Sequence, residues 1–312
     1  MSQLLCVKDL KKKFAERNVI QGINFSLEKG ETLCFLGPNG AGKSTTINIL
    51  TGALKHDAGS IHYRGEFFEK NIRSYKQALG VVPQNIALYE DLTAAQNIRF
   101  FASLYGIKGK SLARCTDKAL FFAGLQERSG DKVRNFSGGM KRRLNIACAI
   151  AHQPEILIMD EPTVGVDPQS RNHILEGVKK MRSEGMTVLY TTHYMEEVEE
   201  IATRIIIMDQ GQIIAEGTAE SLKNQLNQDR EYIIEVDKPE KVNTDIFYRV
   251  EGVRHVEMSQ EKLLITSLLG VENLDRLIAC LMNNGIRIHH IAVQSNNLET
   301  VFLNLTGRRL RD

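Results

Sequence analysis

The chain has 312 residues, 42% hydrophobic and 25% charged, which is the balance of a folded globular protein. That length holds one large domain with a smaller one, or two of medium size. The 40 Lys and Arg against 38 Asp and Glu leave a net charge of +2, which excludes wholesale electrostatic capture of nucleic acid.

The N-terminal stretch MSQLLCVKDLKKKF has no apolar core of signal-peptide length. Leu4 to Val7 and Ile23 to Leu27 read as short strands, and Glu28-Lys29-Gly30-Glu31 as a polar turn. Thr32 to Leu36 is a compact apolar run, long enough for a buried strand. A glycine-rich loop follows at once, and Ile47, Ile49 and Leu50 then mark a helix. Thr93 with Gln96 three residues on forms a capping box. Ile98, Phe101, Leu104 and Tyr105 follow at helical spacing, and the pattern from about residue 88 to 151 is that of an inserted helical subdomain. Ile156 to Met159 and Thr187 to Tyr190 are further buried strands. Buried strands separated by helical stretches predict an α/β core with a mostly parallel sheet. Ile205 to Met208, the tight turn Asp209-Gln210-Gly211 and a return strand at Gln212 to Ile214 come next. Thr218 caps a helix running to about Gln228, and 227–230 reads as a linker between a first domain, 1–228, and a second, 229–312.

The second domain has its own order. Tyr232 to Val236 is a strand, Val242 to Phe247 a weak helix candidate, and Val253 to Met258 and Leu263 to Thr266 are strands. Val271 to Asn283 is a helix with Leu274, Leu277, Ile278 and Leu281 on one face, and Ile286 to Val293 is a strand. The order β-α-β-β-α-β predicts a small ferredoxin-like α+β unit. Asn296 with Glu299 caps a last helix through Leu305. No apolar run approaches the ~20 residues of a membrane-spanning helix. Cys6, Cys34, Cys115, Cys148 and Cys280 show no CxxC pair and no Cys/His metal spacing, as expected of reduced thiols in a cytosolic protein. Lys11-Lys12-Lys13 and Arg308-Arg309 read as solvated faces rather than lipid contacts.

Gly37-Pro38-Asn39-Gly40-Ala41-Gly42-Lys43-Ser44-Thr45 fits G-x-x-x-x-G-K-[ST]. Its glycines let backbone N–H groups converge on phosphate oxygens, and the helix that opens there adds its positive end. Lys43 is expected to reach the β- and γ-phosphates and Ser44 to bind Mg²⁺. The buried strand Ile156 to Met159 ends in Asp160, placed to hold Mg²⁺ through water, and Glu161, placed as general base for the attacking water. These groups say NTPase without saying which. Ser137-Gly138-Gly139, opening a helix with Leu144, Ala147 and Ala151 on one face, is a second candidate phosphate site.

Asn135-Phe136-Ser137-Gly138-Gly139-Met140-Lys141-Arg142-Arg143 resembles the signature of the ABC ATPases. Val82-Pro83-Gln84 resembles their Q-loop, Pro162 to Asp167 their D-loop and Thr191-Thr192-His193 their H-loop, all in the family's order over residues 3 to 225. The resemblance implies a P-loop NTPase core with an antiparallel N-terminal β subdomain, working with ATP and Mg²⁺. It implies that Gln84 touches the Mg²⁺ or the attacking water, and that His193 contacts the γ-phosphate of its own subunit. Ser137 and Gly139 would contact the ATP of a second subunit, and Asp167 would cross the dimer interface. Phe14 falls where the family often stacks an aromatic ring on adenine; the other reading of Phe14 is a core residue. Phe136 and Met140 depart from the family's usual Leu and Gln, which puts the Gln contact to the opposite nucleotide in doubt.

The ending from Asn297 to Arg308 resembles that of ATPase subunits from bacterial exporters of the daunorubicin-resistance, multidrug type. The resemblance implies a homodimer, or a pair with a homologous ATPase subunit. It also implies a separate integral-membrane permease at the cytoplasmic face of the cell membrane, and no nucleic acid. Two alternatives stay open: a soluble ABC ATPase acting on ribosome or DNA, and an importer subunit.

Overall fold

The computed structural model describes residues 3–226, 229–259, 262–268, 270–294 and 298–306. The chain divides after Ala219 into two compact units, earlier than the boundary at 228 expected from sequence.

The first unit opens with a long hairpin, β1 (Gln3–Phe14) and β2 (Arg17–Glu28), far longer than the two short strands expected. It continues with β3 (Thr32–Leu36), α1 (Lys43–Leu50), β4 (Ala58–Tyr63), β5 (Glu66–Phe67), α2 (Ile72–Gln77) and β6 (Leu79–Val82). Three helices follow: α3 (Ala94–Leu104), α4 (Gly109–Ala123) and α5 (Gly138–Ile150). The unit then runs through β7 (Ile156–Asp160), α6 (Pro168–Ser183), β8 (Thr187–Thr192), α7 (Met195–Ile201), β9 (Arg204–Asp209) and β10 (Gln212–Gly217).

Two sheets share one core. β2-β1-β4-β5 is antiparallel, and β10-β9-β3-β8-β7-β6 is parallel except for the edge strand β10. Every residue of β3, β7 and β8 is buried, as continuous apolar strands covered on both faces must be. Leu5, Val7 and Ile61 of the first sheet pack in one cluster with Leu33, Phe35 and Ile158 of the second and with Ile47 and Leu50 of α1. The β9–β10 turn needs a positive φ at both central residues, which Gln210 (47°) and Gly211 (78°) supply. The inserted helices have a separate core in which Ala94, Ile98, Ala102, Ala119, Leu120, Ala123, Leu144 and Ala147 meet. Thr93 opens α3 with the expected capping box, a device worth about 1 kcal/mol.

The register of the parallel strands prepares the site. Leu36 of β3 pairs with Thr192 of β8, Asp160 of β7 with Thr191, and Val82 of β6 with Met159. The strands therefore finish level, and the residues just beyond their carboxyl ends share one edge of the sheet, where open α/β sheets bind ligands.

The second unit holds nearly all of α8 (Ala219–Leu226), then β11 (Asp229–Val236), β12 (Val253–Ser259), β13 (Lys262–Leu268), α9 (Leu274–Asn283), β14 (Ile288–Gln294) and α10 (Leu298–Thr306). Its antiparallel sheet has the order β12-β13-β11-β14, with the unit's first and third strands at the centre, as in a ferredoxin-like arrangement. Tyr232, Ile234, Leu263 and Ile265 pack against Leu277 and Leu281 of α9.

Two expectations need correction here. The helix at Val242 to Phe247 is instead a pair of 3-10 turns, Pro239–Lys241 and Thr244–Arg249. Asn243 accepts the Asp245 N–H locally, and Phe247 is fully buried in the core. α9 starts at Leu274 rather than Val271, because Asn273 is held outside it by bonds to the Glu251 carbonyl (2.7 Å) and Ser267 Oγ (2.6 Å). The expected cap Asn296, the linker residues Asn227 and Gln228, and the closing Asn297, Gly307, Arg308 and Arg309 lie outside the described residues. Among the described residues no helix is long and apolar enough to cross a membrane, and all five cysteines are free thiols.

Candidate active site

The loop Gly37 to Gly42 leaves β3 and enters α1. Gly40 (φ 82°) and Gly42 (φ 104°) adopt backbone open to glycine, and a Cβ on Gly37 would stand 2.3 Å from the Met208 carbonyl oxygen. No side chain caps the N-terminus of α1 and no acid lies in its first turn, so its leading N–H groups are left for an anion. Lys43, 4% exposed, donates to the carbonyls of Gly37 (2.6 Å) and Pro38 (3.1 Å) and lies 3.6 Å from Glu161 Oε1. Burial pulls its pKa below the usual lysine value, and the charges of Glu161 and Asp160 work against that pull. An anion brought to this loop meets a desolvated ammonium already oriented within it. Pro38, Asn39, Ala41 and Thr45 complete the stretch, with Ala41 N bonded back to the Pro38 carbonyl.

Four other expected residues come to this loop. Asp160, at the end of β7, accepts from Ser44 Oγ (3.3 Å) and Thr191 Oγ1 (2.6 Å). Ser44 and Asp160 form a compact pair of hard oxygen donors, which fits Mg²⁺ shared with phosphate and water. Glu161 has φ 46°, a backbone uncommon for a side-chain-bearing residue, and its N–H is held by Thr191. Its carboxylate is buried among Lys43, the Gln84 amide (Nε2 to Oε2, 3.0 Å) and His193 Nδ1 (3.5 Å from Oε1). The His193 Nδ1 is buried without a hydrogen bond, so the ring has capacity for one more partner.

The remaining residues stand apart from this group. Ser137 caps α5 by accepting the Met140 N–H, and Gly138 has open space where a Cβ would lie. Gly139 packs so closely on α6 that a Cβ would meet Asp167 Oδ2 at 2.5 Å and Ser170 Oγ at 2.2 Å. Asp167 caps α6 by accepting the Ser170 N–H (2.9 Å), a bond that holds its carboxyl below the usual range. Among the described residues no hydrogen bond or ion pair joins Ser137, Gly138 or Gly139 to the Lys43 loop. Phe14 ends β1, is 46% exposed and carries Lys12 over its ring, so it is not a core residue.

Sequence reasoning passed over three supports. Thr191 holds both Asp160 and the Glu161 N–H. Arg142, one turn into α5, donates to the carbonyls of Pro83 (3.0 Å) and Gln84 (2.7 Å), tying the Gln84 segment to α5. Glu197 of α7 is fully buried behind His193. Thr191 and Arg142 lie inside quoted motifs, but no local pattern gives these three their supporting roles, since each holds at least one segment distant in sequence.

Known proteins resemble this chain over its whole length. The ABC transporter family profile matches residues 20–164, and that of an AAA domain (putative AbiEii toxin, Type IV TA system) matches 132–199. The linearmycin resistance ATP-binding protein LnrL of Bacillus subtilis (strain 168) is 44% identical over 99% of this chain and 100% of its own length. The Nod factor export ATP-binding protein I of Burkholderia lata is 36% identical over 98% of this chain and 97% of its own. An ATP-binding subunit of an ABC transporter superposes with a TM-score of 0.65 at 31% identity, over 71% of this chain and 92% of that one. A dimeric ATP-binding cassette in a post-hydrolysis state, bound to ADP and Pi, superposes with a TM-score of 0.63 at 25% identity, over 69% and 98%. With relatives of this identity aligned end to end and the loops in the family's order, the chain belongs to the ABC transporter family, as one of its ATP-binding and ATP-hydrolysing subunits.

Proposed function

We propose that this chain is the motor of an exporter: two copies, or one copy and a homologous subunit, close around two ATP molecules and drive a separate permease. The observation that carries the reading is the separation of two anion-ready helix ends within one chain. The α1 end has the ammonium of Lys43 and the carboxylates of Asp160 and Glu161 beside it. The α5 end has Ser137 and glycine backbone but no member of that set. A signature loop so placed completes the site of another subunit.

In each site the backbone from Gly37 to Thr45 cradles the phosphates, with Lys43 on the β- and γ-phosphates and Phe14 against the adenine. Bound Mg²⁺, held by Ser44, Asp160 and Gln84, would neutralise phosphate charge. Glu161 orients and deprotonates the attacking water, with Gln84 and Lys43 fixing its carboxylate. His193 offers its ring to the γ-phosphate. Ser137, Gly138 and Gly139 of the opposite subunit close the site, and Asp167 lies at the interface. The names of the relatives, linearmycin resistance and Nod factor export, support export as the direction. The permease would hold this subunit at the cytoplasmic face of the membrane, and the near-neutral charge supports a cycle without nucleic acid.

Complementation tests the shared site. A Lys43→Ala chain and a Ser137→Arg chain are each inactive as homodimers, but mixed they contain one intact composite site. Mixing is expected to restore ATPase activity to about half the wild-type rate in the mixed dimers. No restoration at any mixing ratio, with mixed dimers verified by mass, overturns the reading.

A further inference from the structure

We infer that Glu197 is a positioning residue for hydrolysis: its buried carboxylate locks the His193 loop to the segment that follows Glu161 and to α6. The inference rests on the proposed role of His193 and deepens it. Glu197 is fully buried, and its two oxygens meet four donor groups, three through hydrogen bonds and one through an ion pair. Oε1 takes Thr163 Oγ1 (2.6 Å) and Arg171 Nε (2.8 Å). Oε2 takes the Tyr190 hydroxyl (2.9 Å) and Thr192 Oγ1 (2.9 Å).

The four donors come from different parts of the site. Thr163 is two residues past Glu161. Tyr190 and Thr192 lead directly into His193. Arg171 lies one turn into α6, whose first turn is capped by Asp167. Burial, and then the charge of Glu197, push the Tyr190 phenol well above its ordinary pKa, so it stays a donor. Thr192 passes the constraint on: its Oγ1 also accepts the Tyr194 N–H (3.0 Å), which brackets the backbone of His193 on both sides. The Tyr194 ring lies 4.2 Å from the His193 ring and 4.6 Å from the Arg171 guanidinium. A buried carboxylate held by three hydrogen bonds and an ion pair has few alternatives, because each lost donor leaves it undersolvated. The network therefore restrains together the strand end that leads into His193, the segment after Glu161 and the first turns of α6.

Thr192→Val keeps the shape of Thr192 and removes the hydroxyl; Thr192→Ser keeps the hydroxyl. The full chain is assayed for ATPase kcat and KM, and for binding of a fluorescent ATP analogue. Thr192→Val is expected to lower kcat about tenfold or more while leaving nucleotide affinity within about twofold, because ground-state binding belongs to the Lys43 loop. Thr192→Ser is expected to recover most of the rate, which a loss of packing alone would not explain. In a Glu197→Gln background Thr192→Val should add little, since both changes break one device. Wild-type kcat in Thr192→Val, a loss that Ser does not repair, or losses that multiply in the double variant overturns the inference. A His193→Ala control separates the two layers. If it abolishes turnover while Thr192→Val does not, only the positioning role fails. If His193→Ala is fully active, the role of His193 itself fails.

Discussion

At the scale of single residues, the site is a balance of buried charges. Lys43 and Glu161 are each nearly excluded from solvent, and they lie 3.6 Å apart in a pocket that also holds Asp160. Removing the ammonium leaves two carboxylates facing the phosphate loop. Lys43→Ala is therefore expected to weaken ATP binding by about a hundredfold or more in a calorimetric titration, the scale of a lost charge-assisted bond plus new repulsion. Affinity within a few-fold of wild type would contradict the assignment of the loop. The residues proposed to touch nucleotide were legible as candidates because phosphate chemistry demands particular types at fixed spacing: Gly, Lys and Ser in one loop, two acids after one buried strand. Thr191, Arg142 and Glu197 were not legible. Each holds a partner far off in sequence, 31, 58 and 34 positions away, that only the folded chain brings close.

At the scale of elements, the inserted helices are joined to the parallel sheet by a small aromatic latch. Tyr105, just past α3, and His152, just past α5, stack at 3.5 Å between ring centroids, and both bond the Leu79 carbonyl at the start of β6. The His152 Nδ1 is buried without a partner, so a second ring proton would find no acceptor. Burial accordingly holds the His152 pKa down to about 4 from 6.5, with the Leu79 bond opposing the shift only in part. Between those values the unfolded chain binds a proton that the folded chain refuses. The stabilisation is thus complete above pH 6.5 and is lost as the pH falls towards 4. His152→Gln is expected to flatten the fall of unfolding free energy across that window, measured by urea titration at several pH values. Parallel curves for the two proteins would contradict it. The buried strands and the Thr93 capping box were plain in the sequence because continuous apolar runs and cap residues are local signals. The short β4 and β5 and the 3-10 turns at Pro239–Lys241 and Thr244–Arg249 carry no such signal, and tertiary contacts decide them.

At the scale of the whole molecule, the proposed function makes one chain hold two halves of two different active sites. The Lys43 loop, Asp160, Glu161, Gln84 and His193 converge at the carboxyl ends of the parallel strands. The Ser137-Gly138-Gly139 end of α5 is instead packed on the Asp167 cap of α6, without a bond to that group. On the proposed reading, dimerisation follows from ATP binding, because the nucleotide is the piece that both halves would recognise. The most direct test is the mass of Glu161→Gln in solution, by size exclusion with light scattering, with and without saturating ATP. Without the proposed general base, bound ATP should persist, and the account predicts a shift from monomer to stable dimer on addition of ATP. A variant that binds ATP and remains monomeric would contradict the shared active site.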